Sequence, residues 1–316
     1  MSDLQRLWIK SGKLVDESFS STSDYSWCDY DLQLTTHAEA LSLVDNIPSF
    51  ALKAMLSQES RPRVESFNEG MLIILRGINF NPDESEEDMV SIRIWVEKNR
   101  IVTCHYRSIQ TLDEIKEKMT AGAVPMSSSV LLAHLISILF QKIEDTILEL
   151  DDSVDLLEES ITESTLGISQ DVRGQITLLR KKIVVFKRHL LPQREVVSQL
   201  RNSTLNWLHD EHRNYHNENY ERVMRNLEDL EVMRDKLNIL KEDVQYILSD
   251  RLNKNTYILS IVAAIFLPLG FLTGLLGINV GGIPGTDNPN SFWLTCVGLV
   301  VIVAAQAILF RKMKWL

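Results

Sequence analysis

The chain has 316 residues, with 33 Lys and Arg against 43 Asp and Glu and a formal net charge of −10; that length supports two domains with a sizeable core and no need of disulfides. Its three cysteines, Cys28, Cys104 and Cys296, are odd in number and far apart, which argues against a disulfide framework or a Cys-x-x-Cys zinc ribbon. The acidic balance repels nucleic acid and attracts cations, and the opening MSDLQRLWIKSGKLVDES lacks a secretory pattern, so the bulk of the chain is expected in the cytosol.

In chain order, short mixed runs predict strands over 13–17, 25–32, 63–68, 71–80, 90–96 and 101–105, with helices over 36–56 and 108–121. The alternation in SIRIWVE and the turn KNR make the last two strands a hairpin. From Ser127 helical spacing takes over, with Leu132, Leu135, Ile136, Leu139, Ile143, Ile147, Leu150, Val154 and Leu157 on one face. Its other face carries Glu144, Asp145, Glu149, Asp151, Asp152, Asp155, Glu158, Glu159 and Glu163, a solvated face first and an ion-binding one second. A third helix is expected over 171–200, kinked or interrupted at Pro192.

A fourth helix begins near Asp210. Apolar residues at Tyr220, Val223, Leu227, Leu230, Met233, Leu237, Leu240, Val244 and Ile247 follow steps of three and four and run into an uncharged segment. A continuous helix of about 65 residues would be ~98 Å long. Such a helix needs packing partners, which points to self-association.

Neither 256–276, TYILSIVAAIFLPLGFLTGLL, nor 292–310, FWLTCVGLVVIVAAQAILF, holds a charged residue, and each is long enough to cross a hydrocarbon layer. Arg251 and Lys254 precede the first span, Arg311, Lys312 and Lys314 follow the second, and the linker 277–291 has neither Lys nor Arg. Both ends therefore face the cytosol. The expected plan is a cytoplasmic α/β domain over 1–125, a helical part over 126–209, a stalk over 210–255, membrane helices over 256–276 and 292–310, an outer loop over 277–291 and a basic tail over 311–316. The fold class is an α+β cytoplasmic domain whose long stalk helix continues into a two-span membrane domain.

One face of the first span traces Asn253, Thr256, Leu259, Ala263, Leu267, Gly270, Gly274 and Gly277, with Asn279 just beyond. Only its ends are polar, which fits a narrow conduit gated by drying rather than by fixed charge. Gly270 and Gly274 also suit close helix packing, the plainer explanation. Gly277, Gly281 and Gly282 offer positive-φ or tight-turn geometry for leaving the helix, and Pro284 prevents its resumption. Asn279 would then hold a carbonyl oxygen at the outer mouth, where a symmetric ring can take part of a cation's hydration shell, unless it is a helix cap.

No Cys or His lies on that face, so zinc preference does not follow from it; a largely hydrated ion would account for the absence. The dense ligand cluster is HDEHRNYH, where His209, His212 and His216 share one helical face and, with Asp210 or Glu211, form a candidate cytosolic zinc sensor or relay; surface histidines at a helix start are the alternative. The chain lacks a Gly-x-x-x-x-Gly-Lys loop, a Gly-x-Ser-x-Gly elbow and a His-Glu-x-x-His motif, which speaks against an enzyme and implies no cofactor. Between Thr256 and Phe310 the sole charged residue is Asp287, a thin basis for a proton relay.

Gly277-Ile278-Asn279, set between two spans with RKMKWL closing the second, resembles the Gly-x-Asn signature of the two-span CorA superfamily of divalent-cation transporters. HLLPQREVVSQL resembles the segment before that family's stalk, and LNKNTYILSIVAAIFLPLGFLTGLLG its pore helix, so the resemblance spans essentially the whole chain. Ile278 replaces the usual Met and no aromatic residue precedes Gly277; GINVGGIPG, RPRVESFNEGMLIILRGINFNP and EEDMVSIRIWV are similar to the ZntB-type zinc-transporter branch. The resemblance implies a homopentamer with a cytoplasmic funnel in a bacterial inner membrane, in contact with lipid, moving Zn²⁺ inward with protons. It makes Gly277, Ile278 and Asn279 the outer filter and Asn253, Thr256, Leu259, Leu267 and Gly270 pore-lining; the helical face set by spacing adds Ala263. A passive Mg²⁺ or Co²⁺ channel of the same fold is the alternative, and a two-span sensor that signals without conducting is a third reading.

Overall fold

Runs of β-branched and aromatic residues broken by turn residues in the first third of the chain form one mixed seven-stranded sheet. In chain order these are β1 (Arg6–Lys10), β2 (Lys13–Val15), β3 (Tyr25–Asp31), β4 (Arg63–Ser66), β5 (Gly70–Gly77), β6 (Val90–Glu97) and β7 (Arg100–His105), arranged β2-β1-β3-β7-β6-β5-β4. All neighbours are antiparallel except β3 and β7. A parallel pair needs a long crossover, which the intervening elements provide. The computed structural model describes residues 6–15, 23–42, 44, 47–58, 60–68, 70–163, 170–203, 205, 207, 213–278, 285 and 288–312.

The hairpin expected at KNR is present, with Glu97 opposite Arg100. Strand β1 was not anticipated. It pairs with β2 through Ser11 and Gly12, both at positive φ (49° and 67°), the geometry of a tight two-residue hairpin. The single helix expected over 36–56 is instead two, α1 (Thr35–Ser42) and α2 (Ser49–Met55), because Pro48 disfavours a helical residue before it and starts the second. These cover one face of the sheet, where Leu41, Ala51 and Met55 pack with Cys28, Tyr30, Leu72, Ile74, Trp95 and Val102. Burial pushes the Cys104 thiol in this layer up to about 12, so it is an uncharged packing group.

Helices α3 (Gln110–Thr120), α4 (Ser128–Glu163) and α5 (Gln170–Arg201) follow. Helix α4 buries the apolar stripe read from its spacing and packs on β3, β5, β6 and β7. A Cβ at Gly77 would come within 2.7 Å of Leu139, so a glycine permits that close approach. Pro192 does not interrupt α5, contrary to the alternative of a break. The turn around it is held by tertiary contacts: Gln193 is fully buried and its Oε1 accepts the Arg76 backbone N–H of β5 at 2.9 Å, while Leu190, Val196 and Val197 are buried beside it. Such contacts outweigh the lost helical hydrogen bond.

Buried charge in this part of the chain is answered locally. Asp29 accepts from Thr103 Oγ1 at 2.6 Å and from Lys116 Nζ at 2.7 Å, with His105 Nε2 at 3.5 Å. Burial alone would raise the Asp29 carboxyl, but the hydrogen bonds and charges of His105 and Lys116 outweigh it and hold it at about 2.

Helix α6 (Arg213–Leu276) and α7 (Ser291–Lys312) complete the fold. The chain divides into two units, Met1–Lys241 and Glu242–Leu316, with the boundary inside α6. In the first, Val223, Leu230, Met233 and Leu237 are buried as their spacing predicts, and Arg222 pairs with Glu144 of α4 at 2.8 Å. Lys236 pairs with Asp155 at 2.5 Å and Glu158 at 2.6 Å, so part of the acidic face of α4 is neutralised by protein rather than by a bound ion.

Candidate ion path

The second unit holds the two apolar segments. Both helices are long and apolar enough to cross a membrane, and none of the residues in their most apolar windows is buried. Their hydroxyls turn inward on their own helix: Ser260 Oγ donates to the Thr256 carbonyl at 2.8 Å, Thr273 Oγ1 to that of Leu269 at 2.9 Å and Thr295 Oγ1 to that of Ser291 at 2.9 Å. This back-bonding satisfies each hydroxyl without water, as a hydrocarbon surrounding requires.

Within α6 the half-buried residues of the span are Ile261, Ala264, Ile265, Leu269 and Leu272. Gln306 of α7 donates from Nε2 to the Ala264 carbonyl at 3.4 Å, and Leu269 lines a groove with Leu299, Val300 and Val303, so this face turns to α7. Asn253, Thr256, Leu259, Ala263, Leu267, Gly270, Gly274 and Gly277 are all exposed. At roughly 100° per residue the two sets lie on opposite sides of the helix. The face traced from the sequence is therefore among those that this chain leaves uncovered, with Leu259 69% and Leu267 71% exposed and Phe266 and Phe271, off that face, exposed as much.

Nothing stands within 4 Å of a Cβ placed at Gly270 or Gly274, so packing inside one chain does not require a glycine at either. The exit at Gly277 uses no positive φ, contrary to one of the options for leaving the helix. Its N–H is shared between the Thr273 carbonyl at 2.9 Å and that of Gly274 at 3.2 Å, which tightens the last turn. An added Cβ there would approach the Thr273 oxygen to 3.2 Å. Ile278 follows, 47% exposed. Asn279, Gly281, Gly282, Pro284 and Asp287 lie outside the described residues.

At the other end of the face, Asp250 and Lys254 form an ion pair at 2.8 Å one turn apart, which places both signs of charge beside Asn253. Of the histidine cluster, His209 and His212 lie outside the described residues, and His216 is buried at 3% exposure next to fully buried Asn219. Among the described residues no group of three or more His, Cys, Asp and Glu is placed to hold a metal ion. Gln306 was not singled out from the sequence, although it is the one amide side chain in the second span.

The model of the family described as CorA-like Mg²⁺ transporter protein matches residues 23–312. The chain is 35% identical over 271 residues to the divalent cation transporter CmaX of Pseudomonas aeruginosa, covering 85% of this chain and 81% of that one. It is 32% identical over 300 residues to the zinc transport protein ZntB of Yersinia pseudotuberculosis, covering 95% and 90% respectively. The solved structure of full-length CmaX superposes with a TM-score of 0.84 at 31% identity, over 99% of each chain.

Proposed function

The chain belongs to the CorA-like Mg²⁺ transporter family, and from that premise we propose that this divalent-cation transporter carries Zn²⁺ inward across the bacterial inner membrane as a homopentamer, with protons as the coupled ion. The observation that carries the reading is the uncovered face of α6, polar at Asn253 and Thr256, apolar or small from Leu259 to Gly274 and ending on Gly277. Copies of one helix arranged about an axis can turn such a face toward a common central path, where its polar ends meet water. Zn²⁺ is preferred because a zinc transport protein is similar over 95% of this chain.

In this reading Gly277, Ile278 and Asn279 form the outer filter, where a ring of amide oxygens meets the hydrated ion. The ion then passes Gly270, Leu267, Ala263 and Leu259, where a narrow apolar wall conducts when wet and closes when dry. Thr256 and Asn253 restore polar contacts on the inner side. Both termini face the cytosol, by the basic residues that flank the spans. The acidic balance of the N-terminal unit attracts cations on the cytosolic side. His209, His212 and His216 are retained as a cytosolic zinc site, with His216 supplying its ligand only if the start of α6 opens.

A second reading, a passive Mg²⁺ or Co²⁺ conduit, is favoured by the donor set itself. The face offers no sulfur or imidazole, and neutral oxygens suit a hard hydrated ion at least as well as zinc.

The deciding experiment is uptake into liposomes that hold a zinc-sensitive dye, with and without an inward proton gradient at matched membrane potential, repeated with Mg²⁺. Gradient-accelerated zinc entry supports the symporter. Gradient-insensitive entry with Mg²⁺ passing as readily selects the passive conduit, and retention of rate and selectivity in Asn279→Ala would remove the filter assignment.

A further inference from the structure

Pro268 sits inside α6 and carries no backbone N–H. The helical ladder joins each N–H to the carbonyl four residues earlier, so the carbonyl left without its helical partner is that of Ala264. A backbone carbonyl left unpaired in hydrocarbon is unfavourable, and a proline is tolerated in a membrane helix where a neighbouring group supplies the missing donor. That carbonyl is the one Gln306 reaches, with Nε2 donating to the Ala264 oxygen at 3.4 Å. A carbonyl oxygen only accepts, so the amide must present its nitrogen, not Oε1.

The surroundings make this contact specific. The groove beside it is lined by Leu269, Leu299, Val300, Val303, Ala304 and Ala307, none of which has a side-chain donor. Gln306 Oε1 is itself buried without a hydrogen-bond partner among the described residues, so the amide is placed there at a cost that its nitrogen contact offsets. Ala264 belongs to the face of α6 that turns to α7, and Leu267 and Gly270 on the opposite face bracket Pro268.

We infer that Gln306 is a positioning residue for transport: its side-chain amide stands in for the missing Pro268 N–H and ties the second span to the ion-path helix at its proline break. The inference rests on the reading of the uncovered α6 face as the ion path. The tie fixes the turn from Ala264 to Pro268 against α7, and so sets where Leu267 and Gly270 project. When it is broken, the helix around Pro268 is free to bend, and the narrow apolar segment loses its set width.

A double-substitution cycle on the full-length protein tests it. Gln306→Met, Pro268→Ala and the pair are compared by thermal unfolding in detergent and by Zn²⁺ and Mg²⁺ flux into liposomes. Methionine keeps the length of the side chain and removes the donor, while alanine at 268 restores the N–H. The expected result is that Gln306→Met lowers the unfolding temperature by several degrees and changes flux several-fold beside Pro268, and does neither beside Ala. Equal effects in both backgrounds would mean ordinary packing and overturn the inference, as would no effect in either.

If Pro268→Ala fails to assemble, Gln306→Leu serves instead, since it removes the donor and carries no ionisable group; it must then lose as much as Met, and parity of Leu with the parent overturns the tie. The two readings fail separately. A parent protein that passes no divalent cation removes the ion path while leaving the unfolding comparison intact, and additive unfolding shifts remove the tie whatever the flux.

Discussion

Asp29 and Gln306 are both polar side chains set among apolar neighbours, one in each unit, and they are satisfied very differently. Asp29 meets a hydroxyl, an ammonium and an imidazole from β7 and α3. Gln306 has one contact, at 3.4 Å, and a second polar atom with none among the described residues. The first unit thus carries its own solvation and its own core. The second leaves its apolar side chains uncovered, on two helices long and apolar enough to cross a membrane.

The comparison breaks first if the sheet core does not hold the N-terminal unit together. Trp95 is 1% exposed, packs on Phe67 with ring centroids 5.4 Å apart and donates from Nε1 to Glu97 at 2.6 Å. Trp95→Ala is expected to cost about 3–5 kcal/mol. The check is urea unfolding followed by circular dichroism, where an unshifted midpoint would refute the claim.

Next in size is the charge at Asp29. Its folded value of about 2 lies below its ordinary 3.8, so its contribution to stability is fully present above pH 4 and is lost as pH falls through about 2. Asp29→Asn should therefore cost about 2 kcal/mol at pH 7, with the gap between parent and variant closing below pH 4. A gap that stays constant from pH 7 to pH 2 would assign the effect to packing instead.

Sharpening the other half of the comparison needs a flux readout. Leu267→Ser places a hydroxyl in the narrow apolar segment and should raise Mg²⁺ and Zn²⁺ leak by roughly tenfold, a change of about 1.4 kcal/mol in the barrier. Ile261→Ser, half-buried on the α7 side of the helix, is the control and should leave the rate near that of the parent. Equal leak from both would mean that the uncovered face has no special relation to the ion.

How far this was readable beforehand follows from what each feature depends on. The stripes of α4 and α6 and the Asn253 to Gly277 face were legible because helical periodicity alone places side chains on one side. Six of the seven described strands were legible because short apolar runs bounded by turn residues, with alternation in SIRIWVE, mark strands. Strand β1 is a short run whose pairing is decided by the Ser11–Gly12 turn, and the split at Pro48 turned on one residue inside an otherwise helical pattern. Gln306 and Ala264 are 42 positions apart, and the consequence of Pro268 for that carbonyl becomes visible only once α7 is placed beside α6. His216 reads from the sequence as part of a candidate zinc cluster with His209 and His212, while its burial depends on tertiary packing that spacing does not report.

The smallest effect concerns how a half-buried base behaves in the N-terminal unit. His189 of α5 is held down to about 4 from an ordinary 6.5, by burial first and then by the charges of Arg76 and Arg188. A histidine that resists protonation when folded and accepts it when unfolded makes the unfolded state bind more protons between those two values, so stability falls as pH drops from about 6.5 to about 4 and levels off below. Because the group is only half buried, solvent screening reduces its share to about 1 kcal/mol. His189→Gln should flatten the stability curve across that interval without shifting the Asp29 transition at lower pH. Parallel curves for parent and variant would mean that the acid sensitivity resides elsewhere. The two titrations separate cleanly because Asp29 stabilises by keeping its charge where it has partners, whereas His189 costs stability once it must take up a proton beside two arginines.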